Sequence, residues 1–282
     1  MENTKAKIVM VIAIILLLLC CLGFIIWQSF KIDGKAKVQD KKQEEPIIEL
    51  DINDELVKTL YGYVSFQNGS YDERLTNYQD KKITVDELDK NFIFECAYRN
   101  MAISEEDKLE FLYEDGTSEG KDEWFGIGTE LIQQKIKEIF GKTIENESFN
   151  FTGVYASYNH GQYNLSFGGG GCGGTQSINK MSKAYKQGNE LYIEDKYIFF
   201  DSDCVFCSED EECKDQYVTT LYTSTNKTNK MAQITEVLNV TNIDNSEEIL
   251  FTKYENIAQR YKHTFKLGED NKYYWYSTEP IN

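Results

Sequence analysis

An α+β domain carried by one membrane-spanning helix is the architecture that this 282-residue sequence predicts. Three observations point there. Residues 8–27, IVMVIAIILLLLCCLGFIIW, run for twenty positions without a charge. Helix-period apolar spacing is confined to the chain before residue 148, and period-two spacing takes over after it.

Twenty helical residues, rising about 1.5 Å each, match a hydrocarbon core of about 30 Å. The run is longer than the apolar part of a cleaved signal peptide, and no small-residue cleavage pattern follows it. Trp27 stands where interfacial aromatics flank a retained span. Cys20 and Cys21 have Leu18, Leu19 and Leu22 as neighbours, not the small residues that precede a lipid-modified cysteine. They read as apolar residues in lipid. The layout is a cytoplasmic tail at 1–7, a transmembrane helix at 8–28, a charged linker at 29–48 and an α+β domain at 49–282.

Orientation is a contest between two signals. Lys31, Lys35 and Lys37 after the span outnumber Lys5 and Lys7 before it, which alone would keep the domain inside. A basic N-terminus running straight into an apolar stretch is the arrangement of a signal anchor, and long domains translocate with little regard to charge. The expectation is an extracytoplasmic domain.

The linker sequence KIDGKAKVQDKKQEE at 31–45 has too few apolar side chains to bury a core. Five of the 47 acids and seven of the 30 bases fall in residues 1–45, so the rest of the chain carries a net charge of −19. A surface this acidic is repelled by nucleic-acid phosphate and by anionic lipid. No nucleic-acid partner is expected, and the N-terminal helix alone meets the membrane.

Within the domain, Leu56, Leu60, Tyr61 and Val64 recur at helical spacing, with Asn53 or Asp54 to cap them. Thr84 to Glu87 reads as a capping box opening a helix that ends near residue 101, with Leu88, Phe92, Cys96 and Arg99 along it. Cys96 there is a buried small hydrophobe. A third helix, Thr129–Phe140, carries Leu131, Ile132, Ile136, Ile139 and Phe140 on one face and is stopped by Gly141. Strand-like runs follow at 149–158, 162–167, 190–200, 217–224 and 231–240. A hairpin closes the chain, 261–267 against 272–278 around Gly268-Glu269-Asp270-Asn271. Helices first and strands later describe an α+β fold with helices on one face of a mainly antiparallel sheet.

The anchor, the charged stalk and the terminal stretch YKHTFKLGEDNKYYWYS resemble uncharacterised single-pass membrane-anchored surface proteins of low-G+C Gram-positive bacteria. The resemblance is one of layout. It implies a surface location and brings no catalytic residues with it. In element order the domain also resembles cystatin-like and NTF2-like folds.

Candidate chemistry lies in two places. Gly168 to Gly174 is six glycines around Cys172, a sequence that lets backbone N–H groups approach an oxyanion. With His160 upstream, Cys172 is the nucleophile of a conceivable thiol hydrolase; a flexible turn between strands is the plainer reading. The second place is Cys204-Val205-Phe206-Cys207 with Cys213 beyond it. Three thiols, with Cys172 as a fourth, are the ligand types of a zinc site. In an oxidising compartment, Cys204 or Cys207 with Cys213 would instead close a short disulfide loop, and unpaired thiols are the remaining alternative. Seven acids between positions 201 and 215 lack the alternating ligand pattern of a calcium loop and read as a solvated acidic loop.

No nucleotide loop or complete metal motif is present, so no cofactor is expected. The sequence leads to a membrane-anchored extracytoplasmic protein with a non-catalytic domain for binding or envelope interaction. A thiol hydrolase using Cys172 with His160, and a purely structural envelope component, are the alternatives.

Overall fold

The computed structural model describes residues 45–65, 78–120, 124–151, 153–168, 174–205, 216–224, 227, 229–237 and 251–282. The expected span at 8–28 and most of the linker lie outside them. No helix among the described residues is long and apolar enough to cross a membrane.

The folded unit, Pro46–Asn282, is α+β and mostly antiparallel. Its elements in order are β1 (Ile47–Leu50), α1 (Glu55–Val64), β2 (Ile83–Thr84), α2 (Lys90–Arg99), β3 (Lys108–Leu109), β4 (Phe111–Leu112), β5 (Ser118–Glu119), β6 (Phe125–Gly128) and α3 (Thr129–Phe140). Then come β7 (Phe149–Phe151), β8 (Val154–Asn159), β9 (Gln162–Phe167), β10 (Gly174–Gln187), β11 (Glu190–Val205), β12 (Gln216–Tyr222), β13 (Lys230–Val237), β14 (Gln259–Leu267) and β15 (Tyr273–Ile281). Short strands are therefore interleaved with the helices, which corrects the expectation of helices first and strands after. β1 to β5 are two to four residues long, too short to show a period.

The helices form for local reasons. Asp54 caps α1, its Oδ1 accepting from Leu56 N–H at 2.9 Å. Val57, Leu60 and Tyr61 are buried, whereas Leu56, expected on the apolar face, is exposed. The Thr84–Glu87 box does form, with Glu87 Oε2 accepting from Thr84 N–H at 2.9 Å and from Thr84 Oγ1 at 2.8 Å. It closes a turn after β2, however, and the helix starts later. Asp89 is the true cap, accepting from Asn91 N–H at 2.7 Å. Cys96 is buried and unpaired on α2, as its spacing implied. α3 has its expected bounds and ends at Gly141, whose φ of 68° only glycine adopts without cost. A Cβ there would also sit 3.0 Å from the Tyr274 ring.

Two main sheets share the core. The larger runs β1-β10-β11-β14-β15-β2, with β12 and β13 attached beside β11; the smaller runs β3-β6-β9-β8-β7. The glycine-rich stretch leads from β9 in the small sheet to β10 in the large one, so it connects two sheets. α2 packs on β7, α3 on β15, and the two helices touch each other. Between them Phe94 stacks on Phe149 at 4.5 Å and meets Tyr163 edge-on at 4.8 Å, with Ile132, Ile136 and Ile139 completing a dry core.

β11 is the axis of the large sheet. It pairs with β10 along nearly all its length, with β14 from Glu190 to Tyr197, and with β12 from Phe199 to Val205. Alternation along it separates two faces. Leu191, Ile193, Asp195, Tyr197 and Phe199 point to the helix side, while Ile198 and Phe200 join Leu221 and Phe251 on the other. Not anticipated was β10, whose GTQSINKMSKAYKQ is too polar to announce a central strand. Its pairing on both sides over Ala184–Gln187, with β1 and β11, holds it there.

Candidate functional site

The position of interest follows from the parity of β11. An acid stands where the alternation demands an apolar residue: Leu191, Ile193, Asp195, Tyr197 and Phe199 share one face, and Asp195 is 0% exposed. The neighbouring strand repeats the pattern with Tyr261, His263 and Phe265, and His263 is equally sealed. Register places Asp195 opposite Tyr261, and His263 between Ile193 and Thr278.

Hydrogen bonds compensate this burial of polar groups. Asp195 Oδ2 accepts from the Tyr78 hydroxyl at 2.6 Å and from the Tyr61 hydroxyl at 2.9 Å, and lies 3.3 Å from His263 Nε2. With its hydroxyl hydrogen directed at Asp195, the Tyr78 oxygen accepts from Asn179 Nδ2 at 2.9 Å. It also lies 3.1 Å from His263 Nε2, which places a hydrogen on that nitrogen. His263 Nδ1 is 2.8 Å from Thr278 Oγ1, which in turn accepts from Trp275 Nε1 at 3.2 Å. With the Thr278 hydroxyl donating to Nδ1, the Nε2–H tautomer joins these bonds into one chain from Tyr61 to Trp275. Asp195 Oδ1 receives no hydrogen bond from the described residues.

Aromatic rings close the site. Tyr78 stacks on Tyr197 with centroids 4.0 Å apart and meets Tyr261 edge-on at 5.0 Å. Burial, then the Asp195 carboxylate, pushes the Tyr78 hydroxyl well above the ordinary phenol range. Burial does the same to Tyr261, whose hydroxyl donates to Thr223 O at 3.0 Å. Asp, His and Tyr in contact are the ingredients of an acid–base relay. Here they are sealed: Asp195, His263 and Thr278 are 0% exposed, and their hydrogen bonds tie α1, β10, β11, β14 and β15 together.

The sequence candidates fall elsewhere. His160 is exposed at the tip of the β8–β9 hairpin, where φ of 50° at His160 and 81° at Gly161 form a two-residue turn. It stands at the opposite end of β9 from Gly168. Cys172, Cys207 and Cys213 lie outside the described residues, and of Cys204 only the backbone is described, paired with Tyr217. Among the described residues no group of three His, Cys, Asp or Glu is placed to hold a metal ion. Asp195 and His263 were not read together from sequence, and Tyr78 was not singled out. The signal that marks the first two is a polar residue in an apolar register.

On the surface, the β4–β5 hairpin folds back over the small sheet. Asn159 Nδ2 donates to Tyr113 O at 2.8 Å, Gln162 Nε2 to Glu110 O at 2.8 Å, and Leu112 N–H to Asn164 Oδ1 at 2.8 Å. Gly126 beneath leaves no room for a Cβ, which would lie 3.0 Å from Glu110 O. This clamp presents Tyr113 and Trp124, each 39% exposed, on either side of buried Phe111.

No family model matches the chain, and neither a curated protein nor a solved structure shows significant similarity to it.

Proposed function

We propose that this protein is a single-pass membrane-anchored protein whose α+β domain lies outside the membrane and works as a non-catalytic module, binding a protein or another component of the cell envelope. The observation that carries the reading is the sealing of the Asp195–His263–Tyr78 network: the described acid–base groups nearest to a catalytic arrangement serve to hold strands together. The uncharged run at 8–27 supports the anchor, and the linker after it supports a domain that folds apart from the span. Exposed Tyr113, Trp124, Tyr155 and Tyr158 support binding, because large aromatic side chains carry much of the energy of protein interfaces.

Protease added to intact cells tests the topology. Degradation of the domain with a cytoplasmic control spared is the expected outcome, and protection until the membrane is broken reverses the orientation. A thiol-reactive probe tests the non-catalytic reading. Rapid selective labelling of Cys172, lost in His160→Ala, would replace it with a thiol hydrolase.

A further inference from the structure

Tyr78 belongs to no helix or strand, yet its side chain meets three strands of the large sheet: Asn179 on β10, Asp195 and Tyr197 on β11, Tyr261 and His263 on β14. Its ring lies 6° from parallel to Tyr197, and Tyr261 and His263 close the edges at 5.0 and 5.2 Å. One acceptor and two donors converge on its oxygen, which is the full hydrogen-bonding capacity of a phenol.

The walls around this ring keep their own restraints. Asp195 Oδ2 also takes the Tyr61 hydroxyl, His263 is tied to Thr278, Trp275 ties Thr278, and Tyr261 is tied to Thr223. None of these bonds involves Tyr78. The slot is thus shaped for a planar ring at one end and for a hydroxyl at the other, independently of the chain that fills it.

We infer that the large sheet contains a phenol-binding pocket with Tyr78 as its resident occupant, and that a free phenol binds there when Tyr78 is removed. The recognition is specific to phenols. A toluene ring fills the same slot but leaves the Asp195 carboxylate without the donor that met it at 2.6 Å, and leaves the Asn179 and His263 bonds to that oxygen unmade. A site built around a hydroxyl rejects the analogue that lacks one. The inference stands independently of the membrane topology and of the proposed function.

Thermal unfolding of the full-length chain carrying Tyr78→Ala, with phenol or toluene added, tests it. The midpoint should rise with phenol concentration, as for any ligand of the folded state. Toluene should bind roughly tenfold more weakly or worse. Adding Asp195→Asn to Tyr78→Ala should shrink that preference. Tyr78→Phe keeps the slot filled and should show no phenol-dependent shift. Equal effects of phenol and toluene on Tyr78→Ala would overturn the inference, as would a phenol shift of the same size in Tyr78→Phe. Should Tyr78→Ala not fold alone, refolding is the readout: recovery with phenol and not with toluene supports the pocket, and failure with both overturns it.

Discussion

The core around Phe94 and the core around Asp195 belong to one folded unit and are held by opposite means. Phe94 touches Phe149, Phe151 and Tyr163, and its stability comes from apolar area removed from water and from close packing. Asp195 is just as deeply buried but is surrounded by hydroxyls and an imidazole, each of which needs a particular atom at a particular place. A dry core asks of a residue only volume and apolarity, so similar side chains substitute for one another. A hydrogen-bonded core asks for donor and acceptor identity, and one missing partner leaves several others buried and unpaired. The difference predicts a tolerant half and an exacting half within the same domain.

The largest effect should come from Asp195→Leu, which keeps the volume and removes the acceptor shared by Tyr61 and Tyr78. We expect a loss of about 3–5 kcal/mol in denaturant unfolding, the range for removing one member of a buried charged network. A loss under about 1 kcal/mol would mean that the polar core is no more exacting than the dry one.

Next in size is the response to alkali, which both cores should share. Burial, above all else, pushes the Tyr163 hydroxyl up to about 12, and it also raises Tyr78 and Tyr261 well above the ordinary phenol range. The unfolded chain loses these protons near pH 10 while the folded chain keeps them, so stability is complete below pH 10 and falls above it. For Tyr163 the fall should span pH 10 to 12 and cost on the order of 1–3 kcal/mol. Unfolding curves of Tyr163→Phe and Tyr78→Phe across that window should each be flatter than those of the native chain. A native curve that stays level to pH 12 would remove the premise.

Phe94→Leu is the counterpart of Asp195→Leu and should cost only about 1–1.5 kcal/mol, because the dry core accepts a smaller apolar side chain with partial collapse. Parity between the two leucine variants would erase the contrast. The smallest expected effect is Ile136→Val, one methyl group removed from a fully buried position, at about 0.5–1.5 kcal/mol. A value well above that range would show the dry core to be as rigidly specified as the polar one.

Much of the local structure was legible without coordinates. Thr129–Phe140 and its terminal Gly141, strand Gln162–Phe167, and the closing hairpin around residues 268–271 all follow from periods and turn residues that act within a few positions. The capping box at Thr84 was read correctly as a pair and wrongly as a helix start, because the Thr84–Glu87 bonds that cap a helix equally close a turn. β10 was not legible, since a polar strand becomes central only by virtue of what pairs with it.

By itself the sequence determined the extent of α3 with its Gly141 stop, the final hairpin and the acidic character of the domain, since each rests on neighbours four or fewer positions apart or on composition alone. The tertiary structure decided that β9 and β10 enter different sheets, that Asp195 meets Tyr78 across 117 positions, and that Tyr78 meets His263 across 185. Such pairings depend on strand register and on chain crossings between sheets. A one-residue slip of register turns a buried acid into a solvated one, and no local pattern in the chain records which register wins.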